Sequence, residues 1–427
     1  MTAPTPRVAF VGMTHLGLVS ATGTAAKGFQ VLGLDRDAGL VARLRAGDLP
    51  VTEPDLDDLL QANGARQTFS ADLADLADRD VVYIAPDVPT DDEGRSDLTP
   101  ITDLIEAVLP HLKSDAVLVL LCQVPPGFTR GISFDPTRLY YQVETLIFGR
   151  AVERATLPER FIIGCAEPTQ PLPDAFRTVL EAFDCPILPM RYESAELAKI
   201  SINMCLVASI GVANTMAEVC EGLGAVWHEI VPALKLDRRI GPYSYLSPGL
   251  GIAGGNLERD LATVIRLADA QGGDSGIVRA WIANSRHRRD WAIRTLRSAV
   301  LDRQSDPLVA VWGLAYKENT HSVKNSPSLM TLRQMQETRV RLHDPVVPAS
   351  AAGHPRAEGA DDALAAVAGA DALMILTPWP QYGAIAPEEI AAAMRGRVVL
   401  DPYRVLDSAA ADQAGLVYHT LGMASAA

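Results

Sequence analysis

The sequence predicts an α/β protein: two Rossmann-like, doubly wound parallel-sheet domains joined by a central long-helix region. Three observations predict it. Short apolar runs alternate with helical stretches near the N-terminus, the same alternation restarts after residue 305, and a proline-free stretch with helical periodicity lies between. The expected boundaries are 1–188 for the first domain, 189–304 for the helical region and 305–427 for the last domain.

Arg7 to Val11 reads as a buried strand, followed by a turn at Gly12 and helix-compatible residues from Leu16 to Lys27. Further strands are expected at Val31–Asp35, Val81–Ala85 and Ala116–Leu121. Strands separated by helices imply right-handed crossovers and a parallel sheet. From Tyr192 to Leu223, Leu197, Ile200, Met204 and Val207 recur at helical spacing. A second helical stretch, Gly276 to about Leu301, carries Arg286, Arg288, Arg289, Arg294 and Arg297, expected on a solvated face. Strands return at Leu308–Trp312, Val340–His343, Ala372–Leu376 and Val398–Asp401. Ala349 to Ala370 reads as a loop plus a helix, and the tail after Gly422 as frayed.

Composition narrows the function. A charge of −14 excludes a general binder of nucleic acid or anionic membranes, while leaving room for one locally basic site. The first seven residues lack the blocks of a signal peptide, and no apolar run approaches the roughly 20 residues of a membrane span. Five scattered cysteines without a C-x-x-C pair suit reduced thiols in a cytoplasm. Eight histidines show no metal-ligand spacing, so no metal is expected.

Gly12-Met13-Thr14-His15-Leu16-Gly17 occupies the position of a dinucleotide fingerprint, between strand and helix. Gly12 permits the tight turn, Gly17 the close helix–sheet packing, and the helix N-terminus receives the pyrophosphate. Asp35 can accept from the ribose hydroxyls, which favours NAD; the adjacent Arg36 is where NADP would be read. Thr14 stands where the pattern has its middle glycine, so its side chain either obstructs the pyrophosphate or bonds to it.

Further segments make the resemblance specific. Glu53-Pro54-Asp55-Leu56, Val88-Pro89-Thr90 with Gly94 to Leu98, Val124-Pro-Pro-Gly127, and Leu157-Pro158 through Gly164 come first. Glu196-Leu-Ala-Lys199-Ile-Ser-Ile-Asn203, the glycine-rich loop from Pro248 to Asp260, Gly313 to Lys317, His343-Asp344-Pro345, Asn325-Ser326-Pro327 and Thr377-Pro-Trp379 complete the series. In this order and over nearly the whole length, the chain resembles the UDP-glucose/GDP-mannose dehydrogenase family. The resemblance implies two Rossmann-like domains, a helix that also builds a homodimer, NAD on the first domain, and a nucleotide-diphosphate sugar between domains.

Carried over position by position, the resemblance gives Lys199 and Asn203 to the sugar hydroxyl and the developing oxyanion; four residues apart, they share one helix face. It joins Asp260 to them as the associated carboxylate, and makes Glu144 a base or water-positioning group for a second oxidation. Pro89, Thr90 and Lys324 fall to the cofactor, with Lys324 in place of a pyrophosphate-binding arginine. Gly251, Tyr245, Lys317 and Arg404 fall to the nucleotide sugar, and Arg239 to the partner subunit's substrate.

The family makes a uronic acid through a thiohemiacetal on a cysteine. Asn256 stands in that place, and an amide has no thiolate form. Gln123 replaces a threonine, Phe148 the second glutamate of its segment, Val143 a proline and Arg259 a lysine. Cys122 matches a serine and is expected as a buried structural thiol. Three functions follow: an NAD-dependent oxidoreductase with single hydride transfer or redox-neutral, epimerase-like chemistry; acid formation by a cysteine-independent route through Glu144; or a non-catalytic nucleotide-sugar-binding homologue.

Overall fold

Val-, Ile- and Leu-rich runs linked by helices bury both faces of a sheet. The computed structural model describes residues 5–91 and 94–424, divided into one unit that ends at Ile202 and another that starts at Asn203. In the first, strands β1 (Arg7–Val11), β2 (Gln30–Leu34), β3 (Gln67–Ser70), β4 (Val81–Ile84), β5 (Val117–Leu120), β6 (Leu139–Gln142), β7 (Phe161–Cys165) and β8 (Ile187–Arg191) form one sheet in the order β3-β2-β1-β4-β5-β6-β7-β8. All neighbours are parallel except β6 and β7. The chain leaves β1 toward β2 on one side and later returns to β4 on the other. The C-terminal end of β1 is therefore the switch point at which such sheets open a crevice.

The second unit holds β9 (Leu308–Trp312), β10 (Arg339–His343), β11 (Ala357–Gly359), β12 (Ala372–Ile375), β13 (Val398–Leu400) and β14 (Val417–His419). Their order is β11-β10-β9-β12-β13-β14, parallel throughout. The two sheets repeat one local device. Gly12 N donates to Leu34 O at 2.8 Å, and Met13 N to Asp35 Oδ2 at 2.8 Å. In the second unit Gly313 N donates to His343 O at 2.8 Å, and Leu314 N to Asp344 Oδ2 at 2.6 Å.

The helix Tyr192–Leu223 is 32 residues long, with a mean hydropathy of 1.5 over an 18-residue window. Three expectations are corrected. Arg288 is not on a solvated face: it is fully buried against Glu221 at 2.7 Å, with Glu218 at 3.6 Å. The single helix expected from Gly276 breaks at Asp290, ending at Arg289 and resuming at Trp291. The chain after Gly422 is not frayed at Met423, which pairs with Val226, while Gly422 accepts from Trp227 N at 2.8 Å.

Candidate active site

In the first unit the turn after β1 demands glycine twice. Gly12 has φ +96°, and a Cβ there would lie 2.8 Å from Pro86. A Cβ on Gly17 would lie 1.9 Å from the Gly12 carbonyl oxygen. Any side chain would fill the cradle that a diphosphate needs. Thr14 caps the helix His15–Ala26 without a side-chain hydrogen bond to it; its Oγ1 instead accepts from Asp87 N at 2.8 Å. The hydroxyl proton thus stays available to an anion at the helix start.

Asp35 is oriented by Met13 N at 2.8 Å and Asp37 N at 3.0 Å, one on each carboxylate oxygen; Arg36 beside it is exposed. Leu16 is buried in the core, so what it offers a ligand is its backbone. His15 is buried, with Nε2 on Glu53 Oε1 at 2.8 Å. Glu53 also accepts from Gly149 N at 2.9 Å and Ala151 N at 3.3 Å. Phe148 lies on the His15 ring at 4.2 Å between centroids, beside the first turn of the helix that follows Gly12. Pro89 and Thr90 form a small antiparallel bridge with Asp97 and Ser96.

Lys199 Nζ is 3.2 Å from Glu144 Oε2, both side chains mostly buried, and Leu146 N donates to the other Glu144 oxygen. Gln123 is half-buried just past β5. Cys122 is fully buried, and burial pushes its thiol up to about 12. Sequence reasoning missed what Glu196 does. It is buried and accepts from Gly127 N at 2.5 Å and Thr129 N at 2.9 Å, fastening the Val124–Gly127 loop.

In the second unit Asn203 Nδ2 donates to Asp260 Oδ2 at 2.5 Å, with Arg259 Nε 3.4 Å from the other oxygen. All three side chains are buried. The glycine-rich loop is pinned along its length. Gly249 N donates to Asn214 Oδ1 at 2.9 Å, Ile252 N to Ser285 Oγ at 2.7 Å, and Gly254 O accepts from Asn325 Nδ2 at 2.9 Å. At Gly251, φ is +77° and a Cβ would meet Ser285 O at 2.4 Å. Asn214 stands 11 residues from Asn203, three helical turns on the same face, a signal the sequence carried.

Asn256 is exposed and opens the helix Asn256–Gln271. The aliphatic part of Lys324 packs over Gly255, its Cδ 3.4 Å from where a Cβ would sit. Glu258 is bonded by Asn325; burial raises its carboxyl against the opposing pull of Asn325, Arg289, Lys324 and Arg286. Lys317 lies 5.7 Å over the Tyr316 ring, and Arg404 donates to His228. Arg239 is exposed and paired with Asp237 at 2.6 Å; Tyr245 is exposed.

A glycine cradle at a switch point, closed by an oriented acid, together with a second parallel-sheet unit, defines the class of dinucleotide-binding α/β proteins. Comparison with known proteins is specific. Residues 6–183 match the NAD binding domain of the UDP-glucose/GDP-mannose dehydrogenase family, 193–286 its central domain and 310–408 its UDP binding domain. UDP-glucose 6-dehydrogenase of Pseudomonas aeruginosa is 33% identical, covering 97% of each chain. UDP-glucose 6-dehydrogenase TuaD of Bacillus subtilis is 28% identical over 97% of this chain and 93% of its own. The structure of a UDP-glucose dehydrogenase from Pyrobaculum islandicum superposes with a TM-score of 0.84 at 27% identity, over 96% of this chain and 98% of that one. The chain belongs to the UDP-glucose/GDP-mannose dehydrogenase family, and its cofactor is NAD.

Proposed function

We propose that this protein acts on a nucleotide-diphosphate sugar through a single hydride transfer or a redox-neutral, epimerase-like change, and forms no acid through sulfur chemistry. UDP sugars are the class to test first, because the similar P. aeruginosa and B. subtilis proteins are named for UDP-glucose. Bound NAD supplies the hydride acceptor. Lys199 and Asn203 hold the reacting hydroxyl and the negative charge that develops on its oxygen. Asp260, bonded to Asn203, fixes the direction of that amide.

The observation that carries this reading is Asn256, exposed at the start of its helix on a loop pinned by Asn214, Ser285 and Asn325. The Cys122 thiol, pushed up to about 12, offers no thiolate at neutral pH in its stead. Glu144 has Lys199 on one oxygen and Leu146 N on the other, which favours a positioning role over water activation. A second reading, the full four-electron oxidation to a uronic acid, draws on the 33% identity to a UDP-glucose 6-dehydrogenase.

The deciding experiment counts NADH per sugar consumed across a panel of UDP sugars. One NADH, or none with a shifted product on chromatography, is expected; two per sugar overturns the reading. No turnover with retained binding would leave a non-catalytic homologue. The Asn256→Cys variant alone is expected to stay below two NADH, because Gln123 and Phe148 also differ.

We further propose a homodimer built on the long helix, since Val212, Met216, Val219 and Leu223 are exposed along it. A cytoplasmic location is supported by five unpaired cysteines.

A further inference from the structure

The arginines in the described structure are mostly held by carboxylates: Arg288 by Glu221, Arg395 by Asp371, Arg239 by Asp237. Arg404 differs. Among the described residues no carboxylate lies within 4.0 Å of it, and its Nη1 donates to Nδ1 of His228, in the first turn of the helix Trp227–Leu236. To accept there, the imidazole must be neutral and carry its proton on Nε2. A neutral acceptor fixes the direction of a guanidinium without cancelling its charge, whereas a carboxylate does both.

The backbone beneath Arg404 is equally committed. Its φ is +57°, a left-handed conformation that a non-glycine residue holds only when its surroundings impose it. The imposing group is Asp401, fully buried at the end of β13. It accepts from Leu406 N at 2.8 Å, Tyr403 N at 3.2 Å and the Tyr418 hydroxyl at 2.8 Å. Tyr403, the neighbouring residue, has its ring edge 3.4 Å from where a Cβ on Gly249 would sit, so the same turn abuts the glycine-rich loop.

We propose that His228 is a positioning residue for nucleotide recognition: it aims Arg404 at the anionic diphosphate while leaving its positive charge unspent. The inference rests on the reading that Arg404 contacts the nucleotide sugar. It adds a residue from the segment matching the family's central domain to the recognition apparatus of the UDP binding domain.

The test is calorimetric binding of UDP to the full chain. Arg404→Ala is expected to weaken binding about 10- to 100-fold, the range for a hydrogen bond to a charged group. His228→Ala should weaken it roughly 3- to 10-fold. His228→Asn, whose Oδ1 falls where Nδ1 was, should restore most of the loss, and His228→Gln should not. In the Arg404→Ala background His228→Ala should add nothing, and NAD binding should be unchanged in every variant. Additive losses, or a His228→Ala variant that binds UDP like the parent, overturn the role of His228 alone. An Arg404→Ala variant that binds UDP undiminished overturns the assignment of Arg404, and the proposal with it.

Discussion

At the scale of single residues, the contact between Lys199 and Glu144 sets what the long helix can do chemically. An ammonium 3.2 Å from a carboxylate, with both side chains mostly buried, is oriented as well as attracted. Replacing Glu144 by Gln keeps the shape and removes the charge. If Glu144 positions Lys199, the variant should lose about tenfold or more in kcat, with the dissociation constant for NAD unchanged. Steady-state rates and fluorescence titration of NAD measure the two quantities separately. Thr14 is the other residue whose part emerges only from coordinates. The sequence left it either obstructing or binding, because which way a hydroxyl turns depends on a neighbour 73 positions away, the amide of Asp87.

At the scale of elements, the strands legible in the sequence were β1, β2, β4, β5, β9, β12 and β13, each with an apolar run, and β10, where Val340 and Leu342 alternate with polar residues; the equally apolar β7 was not among them. β3 reads Gln-Thr-Phe-Ser and β8 carries Pro189, so neither shows an apolar run. Both are sheet edges, where pairing on one side is enough. Arg45 covers the outer carbonyl of Phe69 with two donors, at 2.7 and 3.0 Å, which blunts the β3 edge. Asp371, just before β12, shows what an acid can add to a strand start. Burial alone would raise its carboxyl, but Arg395 and the amide of Leu308, which donates at 2.8 Å, hold it below the usual aspartate value. A folded value lower than the unfolded one means stability present above about pH 4 and lost as pH falls through the folded value. The melting temperature of Asp371→Asn should therefore lie below the parent's at pH 7, and the gap should narrow in acid; a pH-independent gap would refute the carboxylate's role.

At the scale of the whole molecule, only a third of the most apolar window of the long helix is buried in the chain itself. An exposed stripe of this kind calls for a cover, and a second copy of the chain is the simplest one. On the proposed dimer, Met216→Glu combined with Leu223→Glu should give a monomer by light scattering, since like charges would then meet across the contact. An unchanged mass would place the contact elsewhere.

The order of motifs made the fold and the cofactor legible without coordinates, because a glycine turn and its acid are local. The pinning of the Gly249–Asp260 loop was not. Asn214 shares a helix face with Asn203, but Ser285 and Asn325 come from separate segments that no spacing rule joins to it.

The repeated turn of the two sheets has a consequence for how each tolerates substitution. After Gly12 a helix begins at His15, so main-chain amides line the end of the turn; after Gly313 the next helix waits until Pro327, and the stretch between carries the side chains of Lys317 and Lys324. Backbone donors survive most point mutations, whereas lysines do not. A single side-chain exchange therefore leaves the donors of the first turn in place, whereas in the second unit it can remove a charge outright.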